Sequence, residues 1–145
     1  MKSAQSIVCI ILALGVAGNS LAAEPRSLRP LFDAIRWVET SDRPNPPDGD
    51  GGRAIGPYQI WRAYWQDAVE KVPTLGGTYQ DVRKKEYAER CMIAYWLRYC
   101  PHALKRRDYR TLAVVHHLGP RPERRPKEAK AYWRKIVKAL NRKWK

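Results

Sequence analysis

The sequence has no long hydrophobic run, few cysteines and few acidic residues. Its one uninterrupted apolar run, residues 7–17, is too short to cross a bilayer as a helix, which takes about 20 residues. The 145 residues include three Cys, and only 14 Asp or Glu stand against 28 Lys or Arg. The short run excludes a transmembrane helix from the mature chain. The cysteine count argues against a disulfide scaffold, and the charge balance predicts an anionic partner.

The beginning of the chain resembles an export signal. Lys2 supplies a positive charge, residues 7–17 an apolar stretch, and Ser20 and Ala22 the small side chains at the two positions that a signal peptidase reads. A buried N-terminal helix is the alternative, and the glycines late in the run disfavour it. We therefore expect residues 1–22 to be removed and residues 23–145 to be secreted or periplasmic. The mature chain then carries a net charge of +13, because the removed segment holds one Lys and no acid.

The mature chain is long enough for one domain and rich enough in apolar residues to fold. Apolar residues at helical spacing predict five helices, at about residues 28–39, 61–72, 79–98, 109–117 and 127–144. Between the first two, residues 41–53 contain three Pro, three Gly and three Asp, a composition that forbids helix and favours turns. We therefore expect a mainly α domain with a polar loop or small β-hairpin between helices one and two.

The two cysteines of the mature chain, Cys91 and Cys100, are nine residues apart. On one continuous helix they would lie on opposite sides and about 13 Å apart along the axis, beyond the reach of a disulfide. With His102 and His116 they lack the paired spacings of zinc sites. Residues 48–59 match only part of a calcium-loop pattern, because the twelfth position is Gln. We expect no metal and no organic cofactor, and no disulfide unless the helix ends before Cys100.

Glu39 and Asp50 are the candidate catalytic residues. Glu39 follows Ile35 by four residues and Phe32 by seven, so it lies at the edge of an apolar helical stripe. We expect burial to raise its pKa, as a general acid requires. Asp50 lies among glycines, where solvent should keep it ionised. Glycoside hydrolysis uses such a pair: one carboxyl protonates the leaving oxygen, and the other stabilises or attacks the sugar carbon. A helix cap or a salt bridge is the ordinary alternative for Glu39.

Several short blocks carry a resemblance to a known family, in the same order as in that family. They are GPYQI (residues 56–60), AYWQDA (63–68), CMIAY (91–95) followed by Arg98-Tyr99, AVVHHLGP (113–120), and Tyr132-Trp133. Together they make the chain similar, over about residues 31–137, to the invertebrate-type lysozymes, also called the destabilase family. The resemblance implies a lysozyme-like helical fold, with Glu39 as the catalytic acid and Asp50 as the second carboxylate.

The resemblance also implies a set of substrate-binding residues. The segment Gly56, Tyr58, Gln59 and Ile60 would form the cleft floor under the sugars, with His116 beside it. Glycine allows close approach of the backbone to a ligand, Tyr58 can stack on a sugar, and Gln59 can hydrogen-bond an acetamido or hydroxyl group. Turn packing is the alternative for Tyr58 and Gln59, and a purely structural imidazole for His116.

The chain departs from the family pattern at several positions. After Glu39 the family continues Ser-Gly-Cys, whereas this chain has Thr-Ser-Asp at residues 40–42, and it has far fewer cysteines. The loop alignment can therefore slip by a residue or two, which makes Asp48 a rival to Asp50. His117 is an alternative to His116, and Leu118 replaces a family glycine at the cleft edge.

The basic residues concentrate at the C-terminal end. Residues 121–145 hold eleven Lys or Arg and two Glu, and Lys130, Arg134 and Lys138 lie near one predicted helix face. A solvated surface is the ordinary explanation for such a face. Peptidoglycan with anionic wall polymers, or nucleic acid, would suit it electrostatically, and the export signal argues against nucleic acid.

These observations predict an exported, monomeric lysozyme that hydrolyses the β-1,4 bond between N-acetylmuramic acid and N-acetylglucosamine in peptidoglycan. The alternative is a non-catalytic module that binds N-acetylglucosamine-containing wall glycan. Muramidase, chitinase and isopeptidase preferences stay open, as do retention or inversion at the anomeric carbon and whether the protein acts on its own or a foreign wall.

Overall fold

A computed structural model describes residues 27–142 of this protein, so the predicted export signal lies outside the described residues. The described part is mainly helical, with a small antiparallel hairpin between the first two helices, as predicted. Its helices are α1 (Arg29–Thr40), α2 (Arg62–Lys71), α3 (Lys85–Tyr99), α4 (Pro101–Arg106), α5 (Tyr109–Leu118) and α6 (Pro126–Leu140). The strands are β1 (Ala54–Ile55) and β2 (Ile60–Trp61), and short 3-10 turns occupy Asp50–Gly52, Pro73–Leu75, Tyr79–Arg83 and Pro122–Arg124.

The structure differs from the predicted helices at one boundary and in one additional helix. The third helix does not begin near Tyr79, because Tyr79–Arg83 forms a 3-10 turn and Lys84 is extended before α3 starts. A capping box between Thr78 and Asp81 stabilises that turn. The short helix α4 was not predicted. Pro101 restricts the residue before it, which ends α3, and then starts α4 at the first helical position, where proline is tolerated.

The hairpin is held together by pairing and by burial. Ala54 pairs with Trp61 and Ile55 with Ile60, and Tyr79 donates a hydrogen bond to the carbonyl of Ile60 at 2.8 Å. The side chains of Ile55 and Ile60 are buried in the core. This anchoring places the polar turn that contains Asp50 beside the end of α1.

The core lies between two helix pairs, in which α1 packs on α6 and α2 packs on α3. Trp96 of α3 is fully buried at its centre, stacks on Phe32 of α1 with ring centroids 5.7 Å apart, and donates a hydrogen bond to the carbonyl of Leu112 in α5. The packing of α1 against α5 and α6 brings the last turn of α1, and with it Glu39, next to residues far along the chain.

Two further expectations concern the cysteines of the mature chain and membrane-spanning helices. Cys91 is buried within α3, and Cys100 follows the end of that helix, so the two are not on one continuous helix; both thiols are free. Between residues 27 and 142, no helix has the length and apolar character needed to span a membrane.

Candidate functional site

A cleft of about 720 Å³ runs between the hairpin, α2 and the ends of α1 and α5. Both predicted catalytic carboxylates line it, although they come from different elements: Glu39 from the last turn of α1 and Asp50 from the polar turn. The other polar or aromatic lining residues are Gln59, Trp61, Tyr64, Asp67, Tyr95, His116, His117 and Arg125. The fold therefore brings the two predicted carboxylates to one cleft.

Glu39 is held by two side chains from distant parts of the chain. The Tyr132 hydroxyl of α6 donates a hydrogen bond to Glu39 Oε1 at 2.7 Å, and His117 Nδ1 of α5 lies 3.4 Å from the same oxygen. The Glu39 side chain is 15% exposed. It is thus mostly desolvated, as its position on α1 predicted, and still borders the cleft.

The predicted direction of the Glu39 pKa is wrong: its pKa lies below the ordinary value. Burial is the largest influence and raises this pKa, but the contact from His117, the nearby His116 and the hydrogen bond from Tyr132 together lower it by more. Burial also lowers the pKa of His116 to about 4, so that ring is neutral near pH 7. The contacts from His117 and Tyr132 thus favour the ionised form of Glu39 despite its burial.

His116 links three elements through its two ring nitrogens. Its Nε2 lies 3.1 Å from the carbonyl oxygen of Tyr58, which can only accept, so Nε2 carries the hydrogen. Its Nδ1 then accepts a hydrogen bond from the Tyr64 hydroxyl at 3.2 Å. Because both nitrogens are satisfied within the protein, these contacts support the structural alternative for His116 rather than direct substrate binding.

Asp50 has the solvated environment expected of it. Its side chain is 44% exposed and pairs with Arg53, whose Nη2 lies 3.0 Å from Oδ1. The backbone of Asp50 has φ of 53°, a left-handed conformation that is rare for a non-glycine residue. The Asp-Gly-Gly turn thus holds the carboxylate in an uncommon backbone geometry at the cleft, a feature that functional sites often share.

The rival carboxylate, Asp48, is engaged elsewhere. Arg83 binds it with both guanidinium nitrogens, at 2.6 and 2.8 Å, and this pairing lowers the pKa of Asp48. Asp48 borders a smaller hollow of about 220 Å³ that also touches Glu39, on the other side of Gln59. Asp50 alone of the two lines the main cleft, so the geometry favours Asp50 as the partner of Glu39.

Three of the four residues predicted to form the cleft floor, Gly56, Tyr58 and Ile60, do not line the cleft. The Tyr58 ring is fully buried against Phe32, and its hydroxyl donates to Glu89 at 2.6 Å, so the prediction that it stacks on a sugar is wrong. Ile60 is likewise buried in the core. Gly56 has φ of 78°, and a Cβ there would overlap the carbonyl oxygen of Val82. Glycine at position 56 therefore allows close packing inside the protein rather than close approach of a ligand.

Gln59 does line the cleft, and its amide group is used within the protein. Its Nε2 donates to the carbonyl of Gly56 at 3.0 Å and to that of Pro47 at 3.3 Å. These bonds cross the polar loop and favour the turn-packing alternative for this side chain. Gln59 therefore shapes the wall between the main cleft and the smaller hollow.

One exposed aromatic residue of the cleft, Trp61, was not predicted as a site residue, because the apolar spacing assigned it to a helix. The second predicted helix began at Trp61, but Trp61 is the last residue of β2 and is 43% exposed. Its neighbour Ile60 points into the core, so strand alternation turns Trp61 outward. The Arg53 guanidinium lies over its ring, 4.9 Å from the centroid. The alternation of Ile60 and Trp61 was the sequence feature that could have revealed this.

Among the described residues, no group of three or more His, Cys, Asp or Glu side chains is arranged to hold a metal ion.

Comparisons with known protein families, with curated proteins and with solved structures find no match for this chain. The assignment of a function therefore depends on the cleft itself and on the sequence resemblance.

Proposed function

We propose that this protein is an exported lysozyme that hydrolyses the β-1,4 bond between N-acetylmuramic acid and N-acetylglucosamine in peptidoglycan. The observation that carries the proposal is the placement of two carboxyl groups in contrasting environments on one open cleft. Glu39 is mostly desolvated and held by two side chains, whereas Asp50 is solvated. Retaining and inverting glycosidases both depend on such a pair.

In the proposed reaction, protonated Glu39 donates its proton to the glycosidic oxygen as the bond from that oxygen to the sugar C1 breaks. The Asp50 carboxylate stabilises the positive charge that develops on C1, or attacks it. Ionised Glu39 then takes a proton from the water that completes hydrolysis. Because the pKa of Glu39 is low, its protonated form is abundant only at acidic pH, so we propose that the enzyme works under acidic conditions.

The outer surface of α6 supports an anionic wall as the target. Lys130, Arg134 and Lys138 are all exposed there. An exposed cationic face attracts polyanions over a screening length of about 8 Å at physiological ionic strength. We therefore propose that wall polymers with phosphate or carboxylate groups bind this surface, in addition to the glycan bound in the cleft.

The direct test uses the purified mature protein, purified peptidoglycan and chitin, between about pH 4 and pH 7. We expect soluble fragments from peptidoglycan whose new reducing ends are N-acetylmuramic acid, identified by mass spectrometry, with faster release at the acidic end. New reducing ends on N-acetylglucosamine would reassign the bond that is cut. Release of free peptide without new reducing ends, or no release at any pH, would refute the proposed glycosidase activity.

Trp61 offers a test of how the sugar is held in the cleft. An exposed aromatic ring can stack on the apolar face of a sugar, a contact on the order of 1 kcal/mol. We expect Trp61→Ala to raise KM for a soluble glycan about fivefold with a much smaller change in kcat, and Trp61→Phe to recover most of the loss. Leu97→Ala serves as the control, because Leu97 is similarly exposed and lines a different hollow. An unchanged KM in Trp61→Ala would remove Trp61 from the substrate site.

A further inference from the structure

The contacts on Glu39 fall on one of its two oxygens. Tyr132 and His117 both approach Oε1, and among the described residues no side chain donates a hydrogen bond to Oε2. Since Glu39 lines the cleft, Oε2 is the oxygen left for a substrate. A carboxylic acid held in this way accepts at Oε1 and carries its proton on Oε2, the position from which it can donate to a glycosidic oxygen.

We propose that His117 and Tyr132 are positioning residues for Glu39: they hold its Oε1 and orient its Oε2 toward the cleft. This proposal rests on the proposed hydrolase function of the cleft. Neither residue follows from the resemblance as a catalytic group, and neither needs to touch the substrate to act.

The two positioning residues support each other. Their rings are stacked, with centroids 3.9 Å apart and planes only 4° from parallel. Tyr132 is fully buried, and burial raises its pKa well above the ordinary value, so its hydroxyl keeps its proton and remains a donor. His117 is 42% exposed. Tyr132 thus supplies a hydrogen bond from the protein interior, and His117 a second contact from the surface side of the stack.

Other ionisable groups border the two hollows beside Glu39. On α5, His116 is buried and neutral near pH 7. On α2, Asp67 lines the cleft and accepts a hydrogen bond from Tyr99. The remaining charged or titratable groups that line these hollows are Tyr64 of α2, Tyr95 of α3, Asp50 of the polar turn, Arg43 and Asp48 of the loop before it, and Arg125 before α6.

The sign of the expected effect follows from which form of Glu39 the contacts stabilise. Both contacts favour the carboxylate, so removing either one raises the pKa of Glu39 and extends its protonated form to higher pH. The rate of an acid-catalysed step falls as pH rises through that pKa. The alkaline limb of the rate profile should therefore move toward neutral pH in each variant.

The experiment compares His117→Phe, which keeps a stacking ring without Nδ1, with Tyr132→Phe, which keeps the stack without the hydroxyl. We expect each to move the alkaline limb of the hydrolysis profile upward by about 0.5 to 1 pH unit. At pH values above the alkaline limb of wild type, each variant should then hydrolyse about three to ten times faster than wild type. Loss of the orientation of Oε2 should in addition lower kcat at acidic pH. His102→Phe is the control, because His102 is exposed on α4 and lines none of these hollows.

A second measurement needs no substrate. With 13C-labelled glutamate carboxyl groups, NMR titration should show a higher Glu39 pKa in both variants than in wild type. If wild type hydrolyses glycan but neither the limb nor the titration moves, the positioning role is refuted and the hydrolase function stands. If the titration moves while wild type releases no glycan at any pH, the hydrolase function is refuted, and with it the catalytic meaning of the contact.

Discussion

Replacing Glu39 with Gln is expected to reduce wall hydrolysis by about a hundredfold or more and to leave the fold intact. General acid catalysis contributes about 10² to 10⁴ in rate, and an amide cannot donate the proton that the leaving oxygen needs. Gln has the shape of Glu, and its amide oxygen can still accept the hydrogen bond from Tyr132. Hydrolysis is measured as new reducing ends per unit time, and folding by near-ultraviolet circular dichroism and thermal unfolding.

The matched control is Glu86→Gln, which removes the same charge from an exposed position in the first turn of α3. It should hydrolyse at the wild-type rate. The same experiment separates a hydrolase from a glycan-binding module, because Glu39→Gln should still sediment with insoluble wall. A Glu39→Gln protein that is folded and nearly as active as wild type would refute the catalytic role of Glu39.

Replacing Asp50 with Asn is expected to have the second largest effect, a loss of about tenfold to a thousandfold in kcat with the fold retained. Asp50 lines the main cleft together with Glu39, and the amide cannot stabilise the positive charge on the sugar carbon or attack it. Asp48→Asn is the matched control two residues away. It breaks an exposed ion pair with Arg83, so we expect a small fall in the midpoint of thermal unfolding and little change in kcat.

The two Asp variants also test the alignment of the polar loop. If Asp48→Asn loses more activity than Asp50→Asn, then Asp48 in the smaller hollow beside Glu39 is the second carboxylate. If both variants keep wild-type kcat on the same glycan that wild type hydrolyses, the two-carboxylate mechanism is wrong for this cleft. Measuring kcat and KM separately distinguishes lost chemistry from weakened binding.

Local sequence patterns were sufficient to predict most of the secondary structure. The apolar spacing on α1, α5 and α6 reflects one buried face against solvent, and that contrast is a property of neighbouring residues. Pro and Gly in residues 41–53 excluded helix and predicted the polar turn with its hairpin. The helix α4 and the 3-10 turn before α3 were missed because each depends on a few residues around Pro101 and Thr78, too few to establish a period.

The sequence by itself also pointed to the two carboxyl residues of the cleft. Glu39 stands at the edge of an apolar stripe and Asp50 among glycines, and these local surroundings predict their burial and solvation. The segment of residues 56–60 misled the prediction about side chains. Tyr58 and Ile60 are apolar enough to enter the core, and burial there removes more apolar surface from water than exposure on a cleft floor would.

Only the tertiary structure decided the protonation of Glu39. Its position on α1 predicts desolvation, which alone would raise its pKa, and the structure confirms that desolvation. The opposing contacts come from Tyr132, 93 residues away in the chain, and from His117 on another helix. No local pattern contains those distances, because they arise when α5 and α6 pack against the end of α1. Hydrogen bonds and charges act over a few ångströms in space, and therefore the fold, not the sequence neighbourhood, determines the net direction of the shift.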